Sequence, residues 1–114
     1  MMSPYDTSLL DKVLKEKMVK LKLERQKLLS VTKQVLFSLQ KRYRIKEAYI
    51  LGSLLEKNWH QSSDIDVAIS GASEYLLEIM RELEKKTKRE VDVIDLDNHP
   101  FPDIVRKRGK LVYG

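Results

Sequence analysis

The sequence predicts a small α/β domain, in which helices pack on one face of a β-sheet, preceded by an N-terminal helical extension. Three observations lead to this prediction. Residues 6–44 contain no Gly or Pro and space their apolar side chains as a helix does. Three short segments alternate their side chains with the period of two that is typical of strands. One helical segment separates the second strand from the third, and another helical segment follows the third strand. The predicted order is therefore helix, strand, strand, helix, strand, helix.

The first predicted helix has two parts of different character. An apolar stripe runs along it: Leu10, Leu14, Leu21, Leu28 and Val35. Lys17 and Glu24 interrupt this stripe, which argues against a coiled coil. The pattern allows one continuous helix of about 35 residues and about 50 Å or two helices that break near Glu24. We assign residues 1–25 to the extension and residues 26–114 to the domain, because the second half of this helix has the apolar pattern of a helix that packs in a core.

The strands follow in order. The segment EAYILGS predicts a buried strand over 48–51 that ends in a Gly-Ser turn. The segment DIDVAIS predicts a second strand, on which Asp64 and Asp66 share one face with their Cα atoms about 6.6 Å apart. The segment KREVDVIDL predicts a third strand, with Asp92 on the face opposite its valines.

Two further helices are predicted. Gly71 and Ser73 introduce the first, for which the sequence suggests an apolar stripe: Leu76, Leu77, Met80 and Leu83. The segment PDIVRKRG predicts a short helix that begins at Pro102 and ends at Gly109. The last residues, KLVYG, are compatible with a closing strand or with an extended tail.

Composition excludes several classes of protein. The chain of 114 residues is long enough for one domain, and its lack of Cys excludes a disulfide scaffold, a thiolate zinc site and a Cys nucleophile. No long apolar run or signal peptide is present, so we expect a soluble, cytoplasmic protein. Residues 1–46 carry twelve Lys and Arg against four Asp and Glu, whereas residues 47–114 carry ten against thirteen. The basic segment could meet an acidic partner or RNA, but its few aromatics do not support a stacking platform.

The two aspartates of the second strand point to metal chemistry. Carboxylates placed this close repel one another unless a cation lies between them, and Mg²⁺ prefers such oxygen ligands and often retains substrate phosphates. Asp92 on the third strand is the natural third carboxylate of a two-metal site. Gly52 lets the backbone approach a phosphate closely, and Ser53 offers an N–H and a hydroxyl as donors.

This order of motifs resembles the minimal nucleotidyltransferases of the DNA polymerase β-like superfamily, whose signature is Gly-Ser, ten residues, then Asp-x-Asp. The likeness extends from about Gln34 to the C-terminus and includes SDIDVAI, REVDVI and RKRGKLVYG. It implies that fold, with a small mixed sheet. It also implies that Gly52 and Ser53 hold the terminal phosphates of a nucleoside triphosphate. Asp64, Asp66 and Asp92 would bind Mg²⁺ or Mn²⁺, and Asp92 would help to deprotonate the attacking hydroxyl.

The resemblance also implies a partner. Minimal nucleotidyltransferases often act as antitoxins of prokaryotic HEPN-domain toxins, and some transfer AMP from ATP to a tyrosine of the toxin. Many members carry a small residue, Arg and Gly soon after Gly-Ser, where this chain has Leu55, Glu56 and Lys57. Glu56 is unfavourable near a triphosphate, and Lys57 can offset it, so Lys57 joins the expected nucleotide-binding residues.

Three functions remain open at this point. The first is an adenylyltransferase that modifies a partner protein, and the second is a non-catalytic protein that neutralises a HEPN ribonuclease sterically. The third is RNA binding by the basic helix. A homo-oligomer formed through the N-terminal helix is also compatible with the sequence, because Leu9, Leu10, Val13, Leu14 and Leu21 are many apolar side chains for a lone helix.

Five other residues have simpler interpretations. Trp59 could stack on a base, but a loop of this kind more often packs one aromatic for its own order. His60 and His99 share no metal-ligand spacing, and we expect both in exposed loops. Asp95 and Asp97 are expected to be solvated or capping acids at the end of the third strand.

Overall fold

Four strands and three α-helices make up the part of the chain that the structure describes. The structure is a computed structural model and describes residues 7–56, 59 and 63–114, apart from the side chains of Thr7 and Ser53. The strands are β1 (Glu47–Leu51), β2 (Ile65–Ser70), β3 (Val91–Asp95) and β4 (Lys110–Tyr113). The helices are α1 (Thr7–Tyr43), α2 (Leu76–Thr87) and α3 (Pro102–Arg108). Single turns of 3₁₀ helix occur at Gly52–Leu55, Ser73–Tyr75 and Leu96–Asn98.

The four strands form one mixed sheet in the order β3-β2-β1-β4. β1 is antiparallel to both of its neighbours, whereas β2 and β3 are parallel. Parallel neighbours need a long crossover, and α2 supplies it. The closing strand, rather than an extended tail, is therefore the correct alternative for the last residues. The predicted α/β class and mixed sheet are confirmed.

The main core lies between one sheet face and the two longer helices. α1 contributes Leu36 and Leu39, α2 contributes Ile79 and Leu83, and β2 contributes the side chains on its inner face. Those β2 side chains are Ile65, Val67 and Ile69, all of them fully buried. They alternate with Asp66 and Ala68 on the other face, so the predicted division of the strand into two faces is confirmed.

α1 is one continuous helix of 37 residues, about 55 Å long. Of the two alternatives that the sequence left open, the continuous helix is correct, and no break occurs near Glu24. Leu28, Val35, Leu36 and Leu39 are buried in the core, whereas Leu10 and Leu14 are 57% and 48% exposed. Arg25 donates from Nη1 to the carbonyl oxygen of Leu54, at 3.2 Å. The first half of α1 therefore leaves the domain beside the 3₁₀ turn that follows β1, and it contributes to the 66 Å length of the molecule.

The predicted apolar stripe of α2 needs one correction. Ile79 is fully buried, whereas Leu77 is 50% exposed. A helix turns by about 100° per residue, so Ile79, Met80 and Leu83 follow Leu76 on one face at spacings of three, four and seven. Leu77 lies a quarter turn away and faces solvent.

The short helix α3 contacts the sheet face opposite α1 and α2, so the prediction that all helices pack on one face is wrong for α3. Its Val105 packs against a small second cluster that contains Tyr49, Leu51, Ala68 and Leu96. The helix begins at Pro102 and ends before Gly109, as the sequence predicts. None of the described helices is both long and apolar enough to cross a membrane.

Candidate active site

The turn after β1 places a glycine against an aspartate. Gly52 has a φ of +67°, a backbone conformation that L-residues adopt only with strain. A Cβ atom at this position would lie 2.7 Å from Oδ2 of Asp66, so there is no room for a larger side chain without movement of that carboxylate. The backbone at Gly52 and the Asp66 carboxylate therefore form one contiguous surface. Ser53 follows in the 3₁₀ turn, whereas its hydroxyl and Lys57 lie outside the described parts of the chain.

Asp66 and Asp92 are direct neighbours across the parallel pair of strands. The register pairs Asp66 of β2 with Asp92 of β3, and Leu51 of β1 with Asp66. Residues paired in register point to the same sheet face, so the two carboxylates lie side by side on the face away from the main core. Asp64 precedes β2 and is exposed, Asp66 is half-buried and Asp92 is exposed. The structure thus brings together the three carboxylates that the sequence singled out.

The electrostatics of this group follow from its geometry. Burial raises the pKa of the Asp66 carboxyl above its ordinary value. The negative charges of Asp92 and then of Asp64 raise this pKa further, as does the contact between the Asp66 and Asp92 side chains. The ionisation of Asp66 is therefore opposed by its burial and by two neighbouring carboxylates, and a cation beside it would relieve the repulsion.

The fit to a metal ion is partial in this arrangement. Among the described residues, no three His, Cys, Asp or Glu side chains converge closely enough to hold one ion. Asp66 and Asp92 supply two adjacent carboxylates, and Asp64 stands near enough for its charge to act on Asp66. The chemistry of these oxygen donors suits Mg²⁺ or Mn²⁺.

A cleft of about 610 Å³ opens beside these residues. Its described lining includes Gly52, Glu56, Asp66 and Arg108, with apolar walls from Leu51, Leu55, Ile94 and Val105. A cavity of this size suits a small-molecule ligand, since such pockets are commonly about 300–1,000 Å³. Glu56 does face the cleft, as its position after the Gly-Ser turn suggested. Arg108 was not singled out from the sequence, although its place in the basic end of the segment PDIVRKRG was a signal that could have drawn attention to it.

Trp59 is part of the core. It is only 4% exposed and packs in the main cluster, and the Arg89 guanidinium lies 4.9 Å from the centre of its ring. This burial favours the packing interpretation over base stacking. Its Nε1 atom has no hydrogen-bond partner among the residues that the structure describes.

The remaining candidates have local structural roles. Asp95 accepts hydrogen bonds from the Asp97 N–H at 3.1 Å and from the Ser73 hydroxyl at 3.0 Å, and Asp97 accepts one from the Gly71 N–H at 2.7 Å. Asp95 caps the 3₁₀ turn Leu96–Asn98 and Asp97 is exposed, which agrees with the expectation of capping or solvated acids. His99 accepts from the Phe101 N–H through Nδ1, at 3.0 Å. His60 lies outside the described residues.

Comparison with protein families decides the assignment of the fold. The model of the polymerase beta nucleotidyltransferase family matches residues 33–114. The chain belongs to this family. The match includes all four strands, the Gly-Ser turn and the three aspartates. Residues 7–24, which form the projecting half of α1, precede it. Among curated proteins, no relative matches the sequence.

Solved structures with the same fold include toxin–antitoxin complexes. The chain is similar to a crystal structure of a toxin–antitoxin with AMP-PNP, with 23% identity, a TM-score of 0.62 and coverage of 72% of this chain and 73% of that one. It is also similar to the toxin–antitoxin MntA–HepT, with 20% identity, a TM-score of 0.56 and coverage of 75% and 72%. A third match is the tri-AMPylated Shewanella oneidensis HEPN toxin in complex with MNT antitoxin, with 20% identity, a TM-score of 0.55 and coverage of 75% and 71%. At these identities the likeness shows a shared nucleotidyltransferase fold.

Proposed function

We propose that this chain is a metal-dependent nucleotidyltransferase that moves AMP from ATP onto a hydroxyl of a partner protein in the cytoplasm. The observation that carries the proposal is the pairing of Asp66 with Asp92 beside Gly52, at the edge of a cleft large enough for a nucleotide. Carboxylates that repel one another in this position destabilise the fold, and a cation bound together with a nucleotide would neutralise their charge.

In the proposed reaction, the oxygen of the acceptor hydroxyl forms a bond to the α-phosphorus of ATP. The bond from that phosphorus to the oxygen bridging the β-phosphate breaks, and pyrophosphate leaves. Gly52 and the backbone N–H of Ser53 hold the terminal phosphates, and Asp92 helps to remove the proton of the hydroxyl. Two Mg²⁺ ions bound by Asp64, Asp66 and Asp92 would supply the charge that stabilises both the attacking and the leaving oxygens, and Mn²⁺ could replace them.

The acceptor in this proposal belongs to a HEPN-domain toxin, and the chain is its antitoxin. Two similar structures support this partner, since one is a complex of MNT antitoxin with a tri-AMPylated HEPN toxin and another contains AMP-PNP. The small size of this domain also favours an acceptor from another chain.

The projecting half of α1 is the proposed contact with the partner. Leu10, Leu14 and Met18 are 57%, 48% and 67% exposed, a large apolar surface for a helix in water. Five lysines lie between residues 12 and 22, so a second copy of the same segment would be repelled and an acidic partner would be attracted. Because α1 leaves the domain next to Leu54, a partner on this segment would be held near the cleft.

Glu56 supports a second candidate function. Glu56 lines the same cleft as Asp66, and its negative charge opposes the binding of a triphosphate. The second candidate is therefore a protein that neutralises the HEPN toxin by steric contact, without transfer. The intact set of three aspartates favours the enzyme.

A transfer assay separates the two candidates. The chain is mixed with the co-purified HEPN toxin, Mg²⁺ and ATP labelled on the α-phosphate, and the toxin is examined for label and for the added mass of AMP. We expect label on a toxin hydroxyl with the unaltered chain and none with Asp66→Asn. Neutralisation of the toxin by both proteins without any label would favour the steric candidate.

A further inference from the structure

The tertiary structure places Arg108, which is distant in sequence from Gly52 and Asp66, at the same cleft as these two residues. It is the last residue of α3, on the opposite sheet face from α1 and α2, and its side chain lines the cleft with Gly52 and Asp66. Among the described residues that line this cleft, Arg108 alone carries a positive charge. It forms no ion pair with any residue in the described parts of the chain. A guanidinium in a cleft with Asp66 and Glu56, but paired with neither, is available to an anionic ligand.

An ion pair two residues earlier anchors α3 to the sheet. Arg106 donates from Nη2 to Oε2 of Glu47 at 3.0 Å and from Nε to Oε1 at 3.3 Å. The hydroxyls of Tyr49 and Ser70 also donate to this carboxylate, at 2.9 and 3.0 Å. Both charged side chains are about one-third exposed, and bidentate pairs of this kind fix geometry as well as charge. α3 is therefore held against β1 and β2 by the residue that is two positions before Arg108.

One residue after Arg108, the backbone of Gly109 packs closely against side chains of β1. A Cβ atom on Gly109 would lie 2.8 Å from Cδ2 of Leu51 and 3.0 Å from Cβ of Tyr49. The backbone of Gly109 has a φ of −92°, so this glycine is required for space and not for its backbone angle. Leu51 immediately precedes Gly52, so the end of α3 packs against the residue that leads into the turn of the site. Arg108 lies between these two anchors.

We propose that Arg108 binds phosphate oxygens of the nucleotide and offsets the charge of Glu56 in the cleft. This inference rests on the proposed function, because it assigns a binding group to the same site. The planar guanidinium presents donors that match phosphate oxygens, and it remains charged at all physiological pH values. Anchors on both sides keep the backbone of Arg108 in place before the ligand arrives, which lowers the entropy lost on binding.

The test compares Arg108→Ala with Lys107→Ala in direct titrations of ATP with Mg²⁺ by calorimetry. Both changes remove one positive charge from the exposed end of α3, but Lys107 does not line the cleft. We expect Arg108→Ala to weaken ATP binding by about tenfold or more, since bonds to charged groups commonly contribute that much. Lys107→Ala should bind within about twofold of the unaltered chain, because a screened surface charge contributes little. Arg108→Lys should recover part of the lost affinity, because it restores the charge without the fork of donors.

The outcomes distinguish this inference from the proposed function. If the unaltered chain binds ATP and both alanine variants bind it equally well, Arg108 has no role in binding and the inference is wrong. If both variants lose affinity equally, the effect is one of net charge, and the inference is also wrong. If the unaltered chain binds no ATP at all, the proposed function is contradicted and the inference with it. Matching melting temperatures for the three variants establish that each is folded.

Discussion

Gly52 and Asp66 contact one another so closely that a Cβ atom on the glycine would lie 2.7 Å from the aspartate Oδ2. Asp66 lies on β2, and Gly52 directly follows β1, whose last residue, Leu51, is paired with Asp66. The close contact joins the proposed phosphate-binding turn to a proposed metal ligand. A change in either residue should therefore affect the function of the other.

The first prediction concerns Gly52→Ala, with Gly71→Ala as its control. Both glycines have positive φ, +67° and +89°, and at each of them a Cβ would lie 2.7 Å from a neighbouring side chain. Each variant should melt about 5–10 °C lower, from a strain of about 1–2 kcal/mol. Only Gly52→Ala should also lose ATP binding, because Gly71 is at the other end of β2. Equal ATP affinities for the two variants would contradict the role of the turn.

The second prediction concerns Asp66→Asn. Burial, Asp92 and Asp64 raise the pKa of Asp66 in the folded chain, so its ionisation opposes folding. This cost develops as the pH rises above the ordinary Asp value of about 3.9. At pH 7 without metal, Asp66→Asn should therefore melt at the same temperature as the unaltered chain or higher.

Mg²⁺ with ATP should raise the melting temperature of the unaltered chain and not that of Asp66→Asn, because binding to the folded state stabilises it. Scanning calorimetry with and without Mg²⁺–ATP provides both comparisons. Equal shifts in the two proteins would show that Asp66 is not a metal ligand.

The third prediction concerns Asp92→Asn. If Asp92 assists the attacking hydroxyl, its loss should act on the chemical step more than on nucleotide binding. We expect transfer to be at least about 100-fold slower, while Mg²⁺–ATP affinity stays within about tenfold. Single-turnover transfer to the toxin and calorimetric titration measure the two quantities. The control is Glu78→Gln, which removes an exposed carboxylate from α2, and transfer by Asp92→Asn at the control's rate would remove Asp92 from the mechanism.

The fourth prediction concerns the projecting half of α1. Removal of residues 1–23 keeps Arg25 and the buried residues from Leu28 onward, so the domain should remain folded. Toxin affinity should fall, whereas the number of copies in the solution assembly of the chain alone should stay the same, because a second copy of this segment is repelled. Light scattering and calorimetry measure the two properties.

A full-length variant with Leu10→Ser and Leu14→Ser should lower toxin affinity in the same way. The variant with Lys12→Ser and Lys15→Ser tests the contribution of the charge alone. Unchanged toxin affinity in the truncated chain would rule out this contact.

The fifth prediction is a pH dependence of stability from Glu47. Hydrogen bonds from Arg106, and then from Tyr49, lower the pKa of the Glu47 carboxyl below its ordinary value. A lowered carboxyl pKa stabilises the fold above the ordinary value of about 4.3, and this contribution is lost as the pH falls through the folded-state pKa. Glu47→Gln should therefore melt about 5 °C lower at pH 7 and differ less from the unaltered chain in acid. Asp103→Asn also loses a bond to Arg106, but from a side chain 87% exposed, and should have little effect at either pH.

The sequence by itself determined the local features of the site. Period-two alternation predicts that Asp64 and Asp66 share a face, and the Gly-Ser turn at the end of β1 follows from residue chemistry alone. The bounds of α3 are similarly local, because Pro102 favours a helix start and Gly109 favours a helix end. In α2, a rotation of about 100° per residue identifies the apolar stripe correctly, because it places Ile79 in the stripe and Leu77 outside it.

Only the tertiary structure decided which of these features meet. The pairing of Asp66 with Asp92 depends on the register of two strands that are joined by a helix, and that register is set by the packing of buried side chains from distant parts of the chain. Arg108 lines the cleft because Glu47, 59 residues earlier than Arg106, fixes α3 to the other sheet face. The burial of Trp59 is decided in the same way, because contacts between residues far apart in the chain override weak local preferences.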